Sequence, residues 1–401
     1  MSLAPYRQVL ALPGVRALLL LGLVARIPMT AIGITFTLHT VNALGRGYAQ
    51  AGLVTTVYTV AAAVSSPLLG RALDRGGARP VLAVTGTAQI LVWSIAPSMG
   101  YYGLLAVAAV AGLFAIPIFG LIRQSVAAMV PDDQRRPAFA LDSMGTELSF
   151  MVGPAMAVVA ATTIASSLTM YLLGGAIVLA AIGTFILNPR IRAEHEEGGQ
   201  APPRRTWLRG PVLAIMVTAV AMTFILSGTD MAIVSTLREA GATSWTGLVI
   251  ALWCVYSLIG GLIYGAFHRH ISSLIIVAVM GLFTVPAGLA PNWLVLLLVL
   301  IPSGMLCAPG ITSGNETLAR HVPPSARGEA MGLLGSAMTV GVSLGAPVAG
   351  LVVDLASPRW AFVAIGAVGA LAVLLALPAY RSSAPHGYAH QRSLDPELVA
   401  Q

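Results

Sequence analysis

The chain has 401 residues, of which 57% are hydrophobic and only 9% are charged, and its mean hydropathy is +0.85. Soluble domains carry about 25% charged residues, so this composition excludes an ordinary soluble protein. Twelve membrane-spanning helices would use roughly 240 residues. The remainder suffices for short loops but not for a separate catalytic, nucleotide-binding or nucleic-acid-binding domain. The sequence therefore predicts an all-α membrane protein, and not an enzyme.

The formal net charge of +7 comes from 22 basic residues, all of them arginine. These arginines are spread over many short loops instead of forming one basic stripe, so they predict membrane topology and not binding to nucleic acid. The two cysteines, Cys254 and Cys307, both lie inside apolar runs. Neither a disulfide framework nor a metal-binding cluster is expected from them, and no cofactor is expected.

Twelve apolar segments follow one another along the chain, separated by polar loops and turns rich in Gly and Pro. They cover residues 15–38, 48–70, 80–98, 102–125, 137–160, 166–187, 211–235, 245–267, 271–290, 293–315, 327–350 and 359–380. The longest break, 188–210, is charged and rich in Pro and Gly, so it is predicted to be a linker. We expect an N-terminal six-helix bundle (1–187), this cytoplasmic linker (188–210), a C-terminal six-helix bundle (211–380) and a cytoplasmic tail (381–401).

The arginines predict the orientation of the helices. If the N-terminus is cytoplasmic, 17 arginines face the cytoplasm, three face outward, and Arg26 and Arg123 remain inside membrane segments. Positively charged loops favour the cytoplasmic side, so both termini are expected there.

The two halves of the sequence repeat each other. Residues 112–153, shifted forward by 192, match 304–345 without a gap, so that Gly112 meets Gly304 and Pro117 meets Pro309. Each copy contains six helices. Because six is an even number, both copies begin on the same side of the membrane, and they are therefore parallel repeats. Two such halves are typical of a transporter whose substrate path lies between them.

The loop after the second helix reads Gly70-Arg-Ala-Leu-Asp74-Arg75-Gly-Gly77-Ala-Arg79. It closely resembles the G-x-x-x-D-R-x-G-x-R signature of the major facilitator superfamily, and its position in a duplicated twelve-helix frame agrees. The resemblance implies a transporter that works by alternating access. In such transporters this loop closes the cytoplasmic side, and Asp74 interacts with nearby arginines and with the start of helix 11. An ordinary arginine-rich turn is the alternative interpretation.

Two further segments resemble signatures of drug and proton antiporters less completely. Helix 4 holds Arg123 followed by Gln124, and in relatives an arginine in this region is linked to proton transfer. Helix 5 keeps only Gly153-Pro154 of the pattern G-x-x-x-G-P-x-x-G-G. Small residues that merely let helices pack closely are the alternative.

Ionisable residues inside membrane helices are costly, so each requires a partner or a cavity. At 1.5 Å per residue, Arg26 and Glu147 lie near mid-depth, while Arg123 and Asp142 lie nearer the cytoplasm. These depths predict two pairs, Arg26 with Glu147 and Arg123 with Asp142. Because a carboxylate that loses its arginine can take up a proton, all four residues are predicted to act in proton coupling, with Glu147 as the carrier. The alternative is a static pair that holds helices 1 and 5 together.

The resemblance also implies that helices 1, 4, 7 and 10 line a central substrate cavity. Pro117 and Pro309 interrupt helices 4 and 10 at matching positions, which is a sign of such a site. The other predicted cavity residues are Met29, Phe36, Phe119, Phe224, Asp230, Asn315 and Glu316. Asp230 could instead be a solvated helix end, and Asn315 and Glu316 could anchor the adjacent loop.

The sequence thus predicts a proton-coupled exporter of small hydrophobic or amphiphilic compounds in a bacterial inner membrane. Its expected partners are the small-molecule substrate, protons and the lipid bilayer, and it is expected to be a monomer. A transporter of a polar metabolite, such as a sugar or an amino acid, is one alternative. A non-transporting membrane sensor on the same fold is another.

Overall fold

The computed structural model describes residues 4–192, 202–242, 245–266 and 271–381. Within these ranges eleven helices are long and apolar enough to span a membrane, and a twelfth, Ser273–Leu289, is apolar but shorter. They form the all-α, twelve-helix architecture that the sequence predicts. We number them membrane helices 1 to 12 and call the end of the bundle that carries most arginines the cytoplasmic end.

The first half contains membrane helices 1 to 6. Their bounds are Val15–Asn42, Tyr48–Gly76, Ala78–Ile95, Tyr101–Leu113 with Ile118–Met129, Arg135–Thr163 and Ser166–Leu187. The second half contains membrane helices 7 to 12. Their bounds are Gly210–Glu239, Thr246–Ala266, Ser273–Thr284 with the 3₁₀ turn Val285–Leu289, Trp293–Val299 with Ile301–Met305 and Cys307–His321, Arg327–Leu355 and Pro358–Arg381.

Helices 4 and 10 are interrupted at corresponding levels. Helix 4 stops at Leu113 and resumes after Pro117, whereas helix 10 breaks at Leu306, just before Pro309. Proline lacks an N–H group and so cannot continue the helical hydrogen-bond pattern. The matched prolines in the sequence therefore correspond to matched irregularities in the two halves.

The Gly-Pro segment of helix 5 packs directly against helix 1. A Cβ atom placed on Gly153 would lie 2.1 Å from the Thr30 hydroxyl and 2.5 Å from the Ile27 carbonyl oxygen. A Cβ atom placed on its repeat partner Gly345 would likewise lie 2.4 Å from the Phe224 carbonyl oxygen of helix 7. Both glycines therefore allow close helix packing, the role that small residues commonly play in membranes.

Two short helices lie outside the twelve. The first, Ala4–Ala11, which we call the N-terminal helix, precedes membrane helix 1, and the second, Arg204–Trp207, lies within the predicted linker. The buried side chains of Val9 and Trp207 join one hydrophobic cluster at the cytoplasmic end.

Three hydrophobic clusters hold the molecule together. One lies within the first half and one within the second. The third is shared, because it brings Leu18 and Ile122 of the first half together with Ile215 and Leu318 of the second. Burial of apolar side chains favours association by about 25 cal/mol per Å² in water-accessible regions. The shared cluster therefore joins the halves at their cytoplasmic ends.

Candidate functional site

Three buried charged side chains, one each from helices 1, 4 and 5, form a cluster within the membrane segments. Arg26 Nη2 of helix 1 lies 2.7 Å from Asp142 Oδ1 of helix 5, and Arg123 Nε of helix 4 lies 3.6 Å from Asp142 Oδ2. All three side chains are at most 3% exposed. We call these residues the arginine–aspartate cluster.

This geometry corrects one of the two pairs expected from depth alone. Arg123 does pair with Asp142, but Arg26 pairs with Asp142 as well and not with Glu147. A second bond, from Arg26 Nη1 to the Asp142 backbone carbonyl at 3.3 Å, strengthens that assignment. One carboxylate therefore serves two guanidinium groups, and the cluster carries one surplus positive charge.

An aromatic pair covers the cluster. The Arg26 guanidinium lies 5.1 Å from the ring centre of Phe119, which is the range of a cation–π contact. The Phe119 ring is in turn 6.2 Å from the ring of Phe150, whose side chain is 58% exposed. Phe119, which the sequence analysis assigned to the cavity, thus lies directly over a buried charge.

Glu147 lies where helix 5 of the first half meets helix 8 of the second. It is partly exposed, and it lies near the Ser257 hydroxyl of helix 8 and the Asp230 carboxyl group of helix 7. The Ser257 hydroxyl oxygen itself accepts a hydrogen bond from the Ala308 N–H at 3.1 Å. The break in helix 10 leaves that N–H in the first turn of a new helix, where it has no partner within the helix.

Helix 2 continues to Gly76, so Asp74 lies in its last turn and not in the expected loop, and it closes the cytoplasmic end of the bundle. Its two carboxylate oxygens accept hydrogen bonds from the backbone N–H groups of Gly328 and Glu329, each at 2.8 Å. These groups begin helix 11, where the helix dipole favours a negative charge. Gln124 of helix 4 donates a third bond to Asp74 Oδ1 at 2.7 Å.

Gly70 and Gly77 serve this closure in different ways. A Cβ atom on Gly70 would lie only 2.1 Å from the Gly328 carbonyl oxygen, so a side chain there would force helices 2 and 11 apart. Gly77 has a φ of 81°, which glycine adopts without strain, and it turns the chain from helix 2 into helix 3. We call Gly70, Asp74, Gln124, Gly328 and Glu329 the Asp74 gate.

The arginines around the Asp74 gate divide into two groups. Arg71 lies 3.7 Å from Glu329, Arg204 of the linker also pairs with Glu329, and Arg192 donates to the Asp74 backbone carbonyl. The two arginines of the signature itself lie elsewhere. Arg75 is exposed, and Arg79 stacks over the Phe185 ring of helix 6 at 5.6 Å.

A second set of contacts joins the halves on the other side of the bundle. Arg136, at the start of helix 5, lies 3.3 Å from Glu316 of helix 10, and its guanidinium lies 5.7 Å from the ring centre of Tyr264 in helix 8. Arg320 binds the other Glu316 oxygen at 2.6 Å. The repeat of the loop signature aligns Asp74 with Arg269, which lies outside the described residues. Among the described residues, Arg136, Tyr264, Glu316 and Arg320 make the contact on this second side.

The N-terminal helix adds a third contact between the halves. The Tyr6 hydroxyl donates to the backbone carbonyls of Leu262 at 2.6 Å and Gly261 at 3.3 Å, both in helix 8. Tyr6 is only 5% exposed and lies against Gly265. No sequence motif pointed to this residue, although the short segment before helix 1 has the length of two helical turns.

The remaining predicted cavity residues occupy several environments. Phe36 is fully buried in the core of the first half and stacks on Trp93 at 5.3 Å, and Phe224 belongs to the core of the second half. Met29 is partly buried against the first core. All three side chains contribute to packing within their own half.

Asn315 borders a small cavity within the second half. The cavity has a volume of about 20 Å³ and lies between helices 7, 9, 10 and 11. Neither amide atom of Asn315 has a hydrogen-bond partner among the described residues. A space of this size holds about one water molecule, which would satisfy such an amide.

The sequence profile of the Major Facilitator Superfamily matches residues 18–290 and 268–395. The chain therefore belongs to this family and is a membrane transporter and not an enzyme. No curated protein sequence was found to match the chain.

Several solved structures share the fold. The human organic anion transporter MFSD10 (TETRAN) superposes with a TM-score of 0.71 at 18% identity, over 93% of this chain and 99% of that one. A bacterial homologue of the iron transporter ferroportin, in an outward-facing state, gives 0.69 at 15% identity, over 92% and 98%. The proton:xylose symporter XylE, bound to 6-bromo-6-deoxy-D-glucose, gives 0.67 at 11% identity, over 90% and 94%.

Proposed function

We propose that this transporter exports small hydrophobic or amphiphilic organic compounds by alternating access, in exchange for protons. The observation that carries the proposal is the setting of Glu147. Its carboxyl group is partly exposed at the interface of the two halves and lies near a serine hydroxyl, and no arginine pairs with it among the described residues. A charged group inside a membrane segment is costly, so a carboxyl group without a cationic partner is suited to take up and release a proton.

The two carboxylates of helix 5 then have different roles. Asp142 lies between two guanidinium groups, at 2.7 Å from Arg26 and 3.6 Å from Arg123, so it binds helix 5 to helices 1 and 4. Glu147 lies near Ser257 of the opposite half, so relative movement of the halves changes the surroundings of its carboxyl group. We infer that Glu147 carries the proton and that Arg26, Arg123 and Asp142 fix the helices around it.

The aromatic pair supports an apolar cargo. Phe119 and Phe150 present ring surfaces beside a buried charge, and aromatic rings contribute large contact areas to bound organic molecules. Asp230 interacts electrostatically with Glu147 and adds a second carboxyl group to this region. The solved relatives carry an organic anion, iron or xylose, so the shared fold alone does not select the cargo.

We further propose that the protein acts as a monomer in a bacterial inner membrane, with both termini in the cytoplasm. The distribution of 17 arginines against three supports this orientation. The side chains that face outward from the bundle support a bilayer as its surroundings, because many large apolar residues are more than half exposed.

The proposal is tested by proton flux in reconstituted vesicles. Wild-type protein and Glu147→Gln are challenged with a panel of lipophilic cations and neutral drugs under an imposed pH gradient. We expect a cargo-evoked proton flux in the wild type and a loss of at least about ten-fold in Glu147→Gln, because the amide cannot exchange a proton at neutral pH.

Asp133→Asn is the matched control, since it removes an exposed carboxylate from the loop before helix 5. It should retain wild-type flux. Undiminished flux in Glu147→Gln would move the carrier role to another carboxyl group. Absence of flux in wild type with every compound of the panel would contradict the proposed cargo class and favour a sugar or an amino acid.

A further inference from the structure

A groove on the outer surface of the bundle lies between helices 3 and 6. It has a volume of about 170 Å³ and is lined by apolar side chains, among them Leu82, Ile90, Ile182 and Phe185, and by the small residues Ala83 and Thr87. The helices approach each other at Gly86, where an added Cβ atom would be 3.5 Å from Ala181. The small side chains at this contact leave space between the two helices, and this space is the groove.

The groove opens toward the bilayer and not toward the other half. Ile90 and Ile182 are each 47% exposed, and their neighbours Leu91, Leu179 and Ile186 are more exposed still. A volume of this size exceeds that of a single water molecule several-fold. Hydrocarbon chains surround such a surface in a membrane, so a lipid acyl chain is the occupant that this location and this lining favour.

A positive charge stands at the cytoplasmic end of the groove. Arg79 lies one helical turn before Leu82 in helix 3, it is exposed, and its guanidinium packs on the face of Phe185, which lines the groove. Arg75, in the last turn of helix 2, is also exposed. Neither arginine contributes to the Asp74 gate, although both belong to the loop signature.

The start of helix 3 adds to this positive field. Helix 3 begins after Gly77, and no side chain in the described part of the chain caps its first N–H groups. The N-terminal end of a helix carries a partial positive charge and binds anions, phosphate among them. Arginine is particularly suited to phosphate because its planar guanidinium can donate two parallel hydrogen bonds.

We infer that the groove between helices 3 and 6 binds one anionic phospholipid of the cytoplasmic leaflet. An acyl chain lies along Leu82, Ile90 and Ile182, and the phosphate lies at Arg79 beside the start of helix 3. The occupant is a membrane lipid because the groove faces the bilayer, and it is anionic because exposed arginines mark its headgroup end. The site is separate from the path between the halves.

Native mass spectrometry of the purified full-length protein tests this site. The protein in detergent is incubated with phosphatidylglycerol or with phosphatidylcholine of the same acyl chains. We expect phosphatidylglycerol to be retained about five-fold more than phosphatidylcholine, the preference that one arginine near a membrane surface supplies. Arg79→Gln should remove this preference. Arg205→Gln, which changes an exposed arginine of the linker, should leave it intact.

A second variant tests the acyl-chain part of the site. Ala83 is exposed within the groove, so Ala83→Phe fills the groove without entering the protein core. It should lower retention of both lipids at least about five-fold, because loss of two buried methylene groups alone costs about 1.6 kcal/mol. Equal retention of the two lipids by wild type, or full retention of phosphatidylglycerol by both Arg79→Gln and Ala83→Phe, would overturn the proposal. Monodisperse elution of each variant from size exclusion shows that it is folded.

Discussion

At the scale of single residues, the arginine–aspartate cluster is unusual because two cations share one anion in a buried site. Arg26 and Arg123 both contact Asp142, and none of the three side chains is more than 3% exposed. Removing one partner of a buried ion pair leaves an uncompensated charge, which is far more costly than removing the whole pair. Replacement of each of the three residues should therefore lower the free energy of unfolding by a clearly different amount.

Asp142→Asn should be the most destabilising single change in the cluster. It leaves two buried guanidinium groups without a counter-ion, so we expect the free energy of unfolding to fall by about 3–5 kcal/mol. Arg123→Gln should cost clearly less, because the Arg26–Asp142 pair at 2.7 Å then remains as a neutral unit. Thermal unfolding of the purified variants in detergent measures the order. If Arg123→Gln lowered the free energy of unfolding as much as Asp142→Asn does, the surplus positive charge of the cluster would have to be balanced by another group.

At the scale of secondary structure, the N-terminal helix adds a contact between the two halves to those that the membrane helices make. Tyr6 binds carbonyl groups of helix 8, while Val9 packs into the cluster shared by both halves. Helix 8 is also the partner of Glu147 through Ser257. A contact on helix 8 at the cytoplasmic end therefore acts on the same element that holds the proposed proton carrier.

Tyr6→Phe should weaken this contact while it keeps the ring in place. The loss of the hydroxyl removes its two hydrogen bonds, so we expect the free energy of unfolding to fall by about 1 kcal/mol. Burial raises the pKa of Tyr6 from 10 to about 12. The raised pKa means that the hydroxyl's contribution is complete below pH 10 and is lost as the pH rises toward 12.

Unfolding curves of wild type and Tyr6→Phe at pH 6, 7.5 and 9 test both statements. The difference between the two proteins should be the same at all three values. Tyr102→Phe is the matched control, because that side chain is 80% exposed and its hydroxyl makes no hydrogen bond among the described residues. A difference that vanishes by pH 9 would show that Tyr6 ionises there and would contradict its burial.

At the scale of the whole molecule, the two halves meet at the cytoplasmic end through the Asp74 gate, the Arg136–Glu316 pair and the N-terminal helix. Helices 2 and 11 run antiparallel through this region. Ser66 donates to the Gly332 carbonyl at 3.1 Å and Ser336 donates to the Ala63 carbonyl at 2.6 Å. The protein thus adopts a conformation closed toward the cytoplasm, as alternating access requires of one of its two states.

Gly70→Ala should shift the protein away from this closed conformation. The new methyl group would lie 2.1 Å from the Gly328 carbonyl oxygen. Its nearest neighbours are backbone atoms of helix 11, so the clash cannot be relieved by rotation of a flexible side chain. Overpacking of this kind costs about 1–3 kcal/mol, which corresponds to an increase of at least about five-fold in the open population. A single cysteine at Ser66→Cys, in a background without Cys254 and Cys307, reports opening through its rate of thiol labelling from the cytoplasmic side.

Gly175→Ala is the control for that experiment. A Cβ atom at Gly175 in helix 6 meets nothing within 4 Å, so the labelling rate should stay at the wild-type value. An unchanged rate in Gly70→Ala would mean that helices 2 and 11 can accommodate the methyl group and that the close approach does not control the gate.

The sequence by itself determined the class of protein, because the features that define this class are short segments that can be recognised and counted without knowledge of their packing. Apolar runs of about 20 residues predict membrane helices wherever they occur. Matching glycines and prolines such as Gly112 with Gly304 and Pro117 with Pro309 reveal the duplication without any knowledge of packing. The loop signature adds the family, which the match over residues 18–290 and 268–395 confirms.

Only the tertiary structure decided which charges meet. Depth along a helix can be counted at 1.5 Å per residue, but the direction of a side chain around the axis depends on how each helix is rotated and tilted against its neighbours. Asp142 and Glu147 are five residues apart and so point roughly 140° apart around helix 5. Helix 1 packs against the face that carries Asp142, and helix 8 of the other half packs against the face that carries Glu147. That rotation placed both arginines on one carboxylate, and it left the other at the interface between the halves.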